Sequence, residues 1–177
     1  MLLQDSHRAA RVDTHGDLVV LEKQNRFLWD RNEIEEGTAL LERALCQQCP
    51  GPYQLQAAVA ALHAQAPTPA DTDWPQIVVL YDKLAGLAPT TVVELNRAVA
   101  VGMAHGPLNG LRLLDQLEAD NVLASYHSFH AARADLLRRA GHTAEAQGAY
   151  ARALALCQNQ AERRSLSRQI AELASAS

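Results

Sequence analysis

The stretch from Tyr126 to Leu156 constrains the fold more tightly than any other part of this chain: two short amphipathic helices closed by Gly141, with small residues where the helices must cross. Ala134 on the first helix and Ala146 and Ala153 on the second permit close backbone approach, Tyr150 fills the wedge beside them, and Gly141 supplies a turn that bulkier residues resist. Chains built from such hairpins hold partners more often than they perform chemistry.

The same grammar runs through the rest of the sequence. A helix is predicted from Arg31 or Asn32 to about Cys46, with Ile34, Leu40, Leu41, Ala44 and Leu45 on one face, and Cys49-Pro50-Gly51-Pro52 breaks it. The next begins with proline in its first turn at Pro52 and carries Leu55, Ala58, Val59 and Leu62 at helical spacing to about Ala66. After a loop at Ala66-Pro67-Thr68-Pro69-Ala70, Thr72 or Asp73 can cap a helix bearing Trp74, Ile77, Val78 and Tyr81, closed by Ala88-Pro89. Thr90 or Thr91 caps another with Leu95, Ala98, Val99 and Met103, which stops at His105-Gly106-Pro107 before a shorter helix with Leu111, Leu114 and Leu117. A closing helix from Gln160 to Ala174 places Arg163, Arg164 and Arg168 beside Leu166, Ile170 and Leu173, the polar outer face of a terminal repeat. The expected architecture is all-α: about eight helices in antiparallel pairs, stacked as a short superhelix that resembles tetratricopeptide repeats.

The N-terminal part differs. Residues 1–31 read as the end of a helix followed by a docking segment, and 32–177 as the helical domain. Met1, Leu2 and Leu3 have no apolar partner within their own helix, which suggests a severed element of a longer protein and lets exposed apolar residues pair two copies as a dimer. Val12 to Leu21 forms two short extended arms around His15-Gly16-Asp17, a small hairpin or ordered loop too small to be stable alone. It must lie on the helices, with Phe27, Leu28 and Trp29 as anchors.

Composition narrows the function classes. With 48% hydrophobic residues, 177 residues can bury one sizeable core or two thin layers. The net charge of −4 and singly scattered basic residues leave no positive stripe to neutralise phosphates. No apolar run reaches bilayer length and the start, MLLQDSHRAAR, lacks a signal-peptide core, so no membrane contact and a cytoplasmic location are expected. Three cysteines, an odd number, fit a reducing compartment better than a disulfide framework. No Ser/His/Asp order, phosphate loop or paired carboxylates point to an enzyme, and no cofactor is implied.

Many separated words then point one way. Gly16-Asp17-Leu18-Val19-Val20-Leu21, Gln24-Asn25-Arg26, Trp29-Asp30-Arg31 and Glu36-Gly37 resemble the segment that follows the DNA-binding part in one group of extracytoplasmic-function (ECF) RNA polymerase sigma factors. Gly51-Pro52-Tyr53-Gln54-Leu55, Thr72-Asp73-Trp74, Leu80-Tyr81-Asp82, Leu95-Asn96-Arg97-Ala98-Val99, Gly106-Pro107 and His130-Ala131-Ala132-Arg133-Ala134-Asp135-Leu136-Leu137 resemble that group's long C-terminal extension, in order and from about Leu2 to Leu173. The resemblance implies a regulatory protein-interaction domain that controls transcription initiation through contacts with the sigma DNA-binding regions, with RNA polymerase or with a signalling partner. DNA would be reached only through those regions, which this chain does not carry. Asn25 stands where the resemblance implies aspartate, so an ion pair there is not expected.

The partner-binding set is Gly16, Asp17, Asn25, Arg26, Trp29, Asp30 and Arg31, because a poorly self-supporting segment with charges and a tryptophan must dock on something. Docking on the chain's own helices is the alternative. Asn96, Arg97 and Arg133 form a second set facing the groove, where an amide and guanidinium can clamp a backbone or carboxylate, against a local pairing of Arg97 with Glu94. Cys46-Gln47-Gln48-Cys49 has metal or redox spacing but lacks two further ligands, and His127 with His130, three apart on one helix, would need a third such as Asp135. No metal site is assigned from these. The competing reading of the whole chain is a free-standing helical-repeat adaptor that binds a peptide in its groove.

Overall fold

Among residues 2–14, 16–46, 50–118 and 123–175, which the computed structural model describes, nine α-helices follow one another and no β-strand forms. They pack in sequence-adjacent pairs, the all-α arrangement that the helical spacing predicts. The chain divides into two units, Met1–Pro89 and Thr90–Ser177. No helix among the described residues is long and apolar enough to cross a membrane.

The first unit holds α1 (Leu2–Asp5), α2 (Arg31–Leu45), α3 (Pro52–Gln65) and α4 (Trp74–Leu87). Asp30 starts α2 by accepting the Asn32 and Glu33 amides at 2.9 and 3.1 Å, and Asp73 starts α4 by accepting that of Gln76 at 2.9 Å. Between α3 and α4 the Thr68 amide and hydroxyl both donate to the Asp71 carboxylate, at 3.1 and 2.7 Å, which closes the loop as a reciprocal cap. Leu3, Trp29, Ile34, Leu41, Ala61 and Ala64 form the buried cluster. Leu3 does have a partner: a Cβ on Gly37 would lie 2.8 Å from its Cγ, so the leucine sits directly on the backbone of α2 and is 5% exposed. Leu3 is therefore less exposed than the sequence suggests, because its partner lies on the next long helix.

The segment between α1 and α2 is an ordered loop. Val12 and Leu18 make one isolated antiparallel bridge, and around it the Asp13 amide donates to the Asp17 carbonyl while the Asp17 amide donates to the Asp13 carboxylate, each at 2.9 Å. His15, in the predicted turn, lies outside the described residues, as do Gln47, Gln48 and Cys49.

The second unit holds α5 (Thr91–His105), α6 (Pro107–Glu118), α7 (His127–Arg139), α8 (Thr143–Leu156) and α9 (Gln160–Ser175). Thr90 caps α5 through the Val93 amide at 3.2 Å. Gly141, at φ +81°, ends α7 in a Schellman turn: the His142 amide donates to Leu137 at 3.0 Å and the Gly141 amide to Arg138 at 3.1 Å. Ala134, Ala146 and Ala153 are fully buried with Phe129, and Tyr150 packs beside them, as the crossing of α7 and α8 requires. A second close crossing joins α5 to α6, where a Cβ on Gly110 would meet the Ala98 carbonyl at 2.7 Å and the Gly102 Cα at 2.8 Å.

Candidate functional site

The predicted docking segment folds around Arg26. Asn25 accepts the Phe27 amide at 3.0 Å and opens a single 3-10 turn, Arg26–Leu28, which turns the Arg26 side chain inward. Its Nη1 donates to the His63 carbonyl at 2.8 Å and to the Ala66 carbonyl, so the guanidinium satisfies backbone oxygens left open at the end of α3. The guanidinium carbon lies 4.7 Å from the Trp29 ring centroid, in cation–π range. Trp29 is 3% exposed, and the His7 ring packs 5.5 Å from it. The Asp30 amide donates to the Ser6 carbonyl at 2.8 Å, which ties the end of the segment back to α1.

Electrostatics follow from this burial. Desolvation lowers the Arg26 pKa, and the Asp71 carboxylate works in the opposite direction. His63, packed edge-on against Trp74 at 5.1 Å, is pushed down to about 4 by burial first and then by the charges of Arg26 and His7. The imidazole beside Arg26 is therefore neutral at physiological pH.

The seven residues of the predicted partner set thus fall into two groups. Arg26 and Trp29 are buried against the chain's own helices, the alternative that the sequence left open, because the carbonyls that Arg26 needs lie at the end of α3 and the apolar cluster around Trp29 is built from α1, α2 and α3. Gly16, Asn25, Asp30 and Arg31 are exposed and Asp17 is half-buried, although Asp30 and Asn25 also use their side chains as caps. Sequence reasoning took Phe27 and Leu28 for anchors. They are the outward residues of the turn, 96% and 53% exposed. Which face of a one-turn helix points inward depends on contacts made far along the chain, and no local signal marks it.

In the groove set, Arg97 lies 3.5 Å from Glu94 one turn earlier, the local pairing weighed above. Arg133 reaches from α7 to α6, 2.7 Å from Asp115 and 3.3 Å from Glu118. Asn96 is exposed on α5. The three share the second unit without converging on one ion pair.

The histidines of α7 also separate. His130 is buried, with Nε2 3.0 Å from the Ala124 carbonyl oxygen, and Asp135 accepts from Arg138 and Arg139, each at 2.6 Å. His127 turns to Glu162 of α9 at 2.7 Å, and Cys157 completes that group. Cys46 is exposed, and Cys49 is outside the described residues.

Residues 1–45 match a family of unknown function, DUF6596. This stretch takes in α1, the loop, the Arg26–Trp29 turn and all of α2. The chain is also similar to an uncharacterized protein of Rhizobium meliloti (strain 1021), with 44% identity over 174 residues, covering 98% of this chain and 41% of that protein. The chain therefore spans about two fifths of the length of that relative. No solved structure matches it.

Proposed function

We propose that this chain is the regulatory, protein-binding extension of an ECF sigma factor, acting on transcription initiation through contacts with the sigma DNA-binding regions or RNA polymerase. The role requires no catalysis by the chain itself. The resemblance of ordered sequence words supports the reading, and the length of the Rhizobium meliloti relative leaves room in that protein for further regions.

The observation that carries it is Phe27. An aromatic side chain 96% exposed, beside Leu28, stands on a turn whose flanking residues Arg26 and Trp29 are pinned inside. A rigid apolar knob of this kind loses little conformational freedom on docking, and burying it contributes roughly 2 kcal/mol. In this reading Gly16, Asp17, Asn25, Asp30 and Arg31 supply the polar contacts of the docking segment, while Arg26 and Trp29 hold the turn that carries Phe27.

Calorimetric titration of the chain against ECF sigma regions and against core RNA polymerase tests the proposal. Binding that Phe27→Ala weakens and Leu108→Ala, an exposed leucine on α6, leaves intact is the expected result. An absence of binding to both partners moves the reading to a free-standing adaptor for peptides.

A further inference from the structure

Three helix ends in the second unit bring one sulfur, one imidazole nitrogen and one carboxylate oxygen to the same place. His127 is the first residue of α7, Cys157 follows the last residue of α8, and Glu162 lies in the first turn of α9. The ligating atoms all lie within 4.8 Å of one another. His127 Nε2 is 2.7 Å and Cys157 Sγ 3.5 Å from Glu162 Oε2.

We propose that His127 Nε2, Cys157 Sγ and Glu162 Oε2 form a three-ligand site for one Zn2+ ion, with a fourth coordination position open to solvent. The donor set is the mixed N, S and O set that zinc accepts, and three protein ligands leave room for a water. At zinc bond lengths and a tetrahedral angle the ligand atoms stand about 3.3–3.6 Å apart. The sulfur–oxygen spacing already meets this. The nitrogen–oxygen spacing must open by about 0.6 Å, a movement that the terminal torsions of a histidine and a glutamate allow.

The sulfur lies on the inner side of the group, where the thiol also donates to the Asn159 carbonyl at 3.6 Å. Cys157 is 2% exposed, whereas the His127 and Glu162 side chains are 31% and 39% exposed, so the sulfur closes the inner side and the other two border solvent. Arg163 donates to the carbonyls of Leu154 and Cys157 at 2.6 and 2.8 Å, and the Asn159 side chain accepts the Ala161 and Glu162 amides, which together fix the backbone between the ligands. Binding replaces the hydrogen bond between His127 and Glu162 with two metal bonds: the proton shared by Nε2 and Oε2 passes to water, a neutral ring keeps one on Nδ1 by exchange with solvent, and the Cys157 thiol proton also goes to water. Because the ligand is a thiolate, uptake strengthens as pH rises. The ion would join the starts of α7 and α9 to the end of α8.

Titration of the whole chain with Co2+, followed by displacement with Zn2+, tests the site. One equivalent of Co2+ should give a sulfur-to-cobalt charge-transfer band that zinc removes. The band should persist in a Cys46→Ser, Cys49→Ser double variant and vanish in Cys157→Ser. His127→Ala and Glu162→Gln, at half-exposed positions, should each weaken uptake more than about tenfold and serve as the deciding pair if Cys157→Ser does not fold. No band in the unaltered chain, a band that follows Cys46 and Cys49, or uptake unchanged in both His127→Ala and Glu162→Gln overturns the proposal.

Discussion

Arg26 holds its guanidinium carbon 4.7 Å above the ring of Trp29, three residues on, while the same group donates to the last carbonyls of α3. A single side chain therefore joins the turn before α2, the tryptophan in the buried cluster and the C-terminus of another helix. Nη1 alone makes both carbonyl bonds, which leaves the planar face of the guanidinium to lie over the ring.

Replacing Arg26 with lysine should consequently cost about 1–3 kcal/mol, because an ammonium keeps the charge and donors but has no planar face to lay on the Trp29 ring. Trp29→Ala should cost about 3–5 kcal/mol through the cavity it leaves among Ile34, Leu41 and Ala64. Chemical denaturation of the two variants, followed by circular dichroism, measures both. A lysine variant as stable as the unaltered chain would show that the charge alone suffices.

The depressed pKa of His63 fixes the sign of a pH dependence. The folded chain holds this imidazole neutral down to about pH 4, whereas the unfolded chain takes up its proton near 6.5. Stability is therefore complete above about pH 6.5 and is lost as pH falls toward about 4, by roughly 3 kcal/mol. Burial lowers the His7 pKa as well, so the decisive quantity is a difference. Denaturant midpoints of His63→Gln and the unaltered chain, compared from pH 7 to 4, should converge as the pH falls.

How legible these features were depends on the distance over which each acts. Asp30, Asp73 and Thr90 cap helices through amides two or three residues away, and the sequence marks those starts to within one position. Gly141 ends α7 through bonds within the same turn, and the small residues of the following hairpin are spaced for one obvious partner. Arg26 instead finds its acceptors 37 and 40 residues away, and His127 meets Glu162 after 35. Neither position is patterned locally. The histidine spacing on α7 drew attention to His130 and Asp135, yet the side chains of one helix diverge to separate neighbours, and the ligands that meet His127 come from two other helix ends.

The glycines give a paired test of the close crossing that sequence reading missed. Gly110→Ala would put a methyl 2.7 Å from the Ala98 carbonyl and 2.8 Å from the Gly102 Cα, both backbone atoms that cannot swing aside. α5 and α6 must separate, at a cost of about 1–3 kcal/mol. On α8, Gly148 is exposed and an added Cβ meets nothing within 4 Å, so Gly148→Ala should stabilise by about 0.5–1 kcal/mol through helix propensity alone. Thermal melts that moved both variants in the same direction would refute the assigned crossing.

Phe27 separates folding from binding more cleanly than any other residue of the docking segment. Its ring is 96% exposed, so Phe27→Ala removes no buried area and should leave stability within about 0.5 kcal/mol of the unaltered chain. Arg26→Ala and Trp29→Ala would abolish partner binding by loosening the turn, whatever their direct role, and so cannot distinguish contact from support. Paired melting and calorimetry on Phe27→Ala can. An unchanged melt with affinity for the sigma regions lowered about tenfold or more would assign the turn to the partner. An unchanged melt with unchanged affinity would place the contact elsewhere on the chain and leave Arg26 and Trp29 as elements of the fold alone.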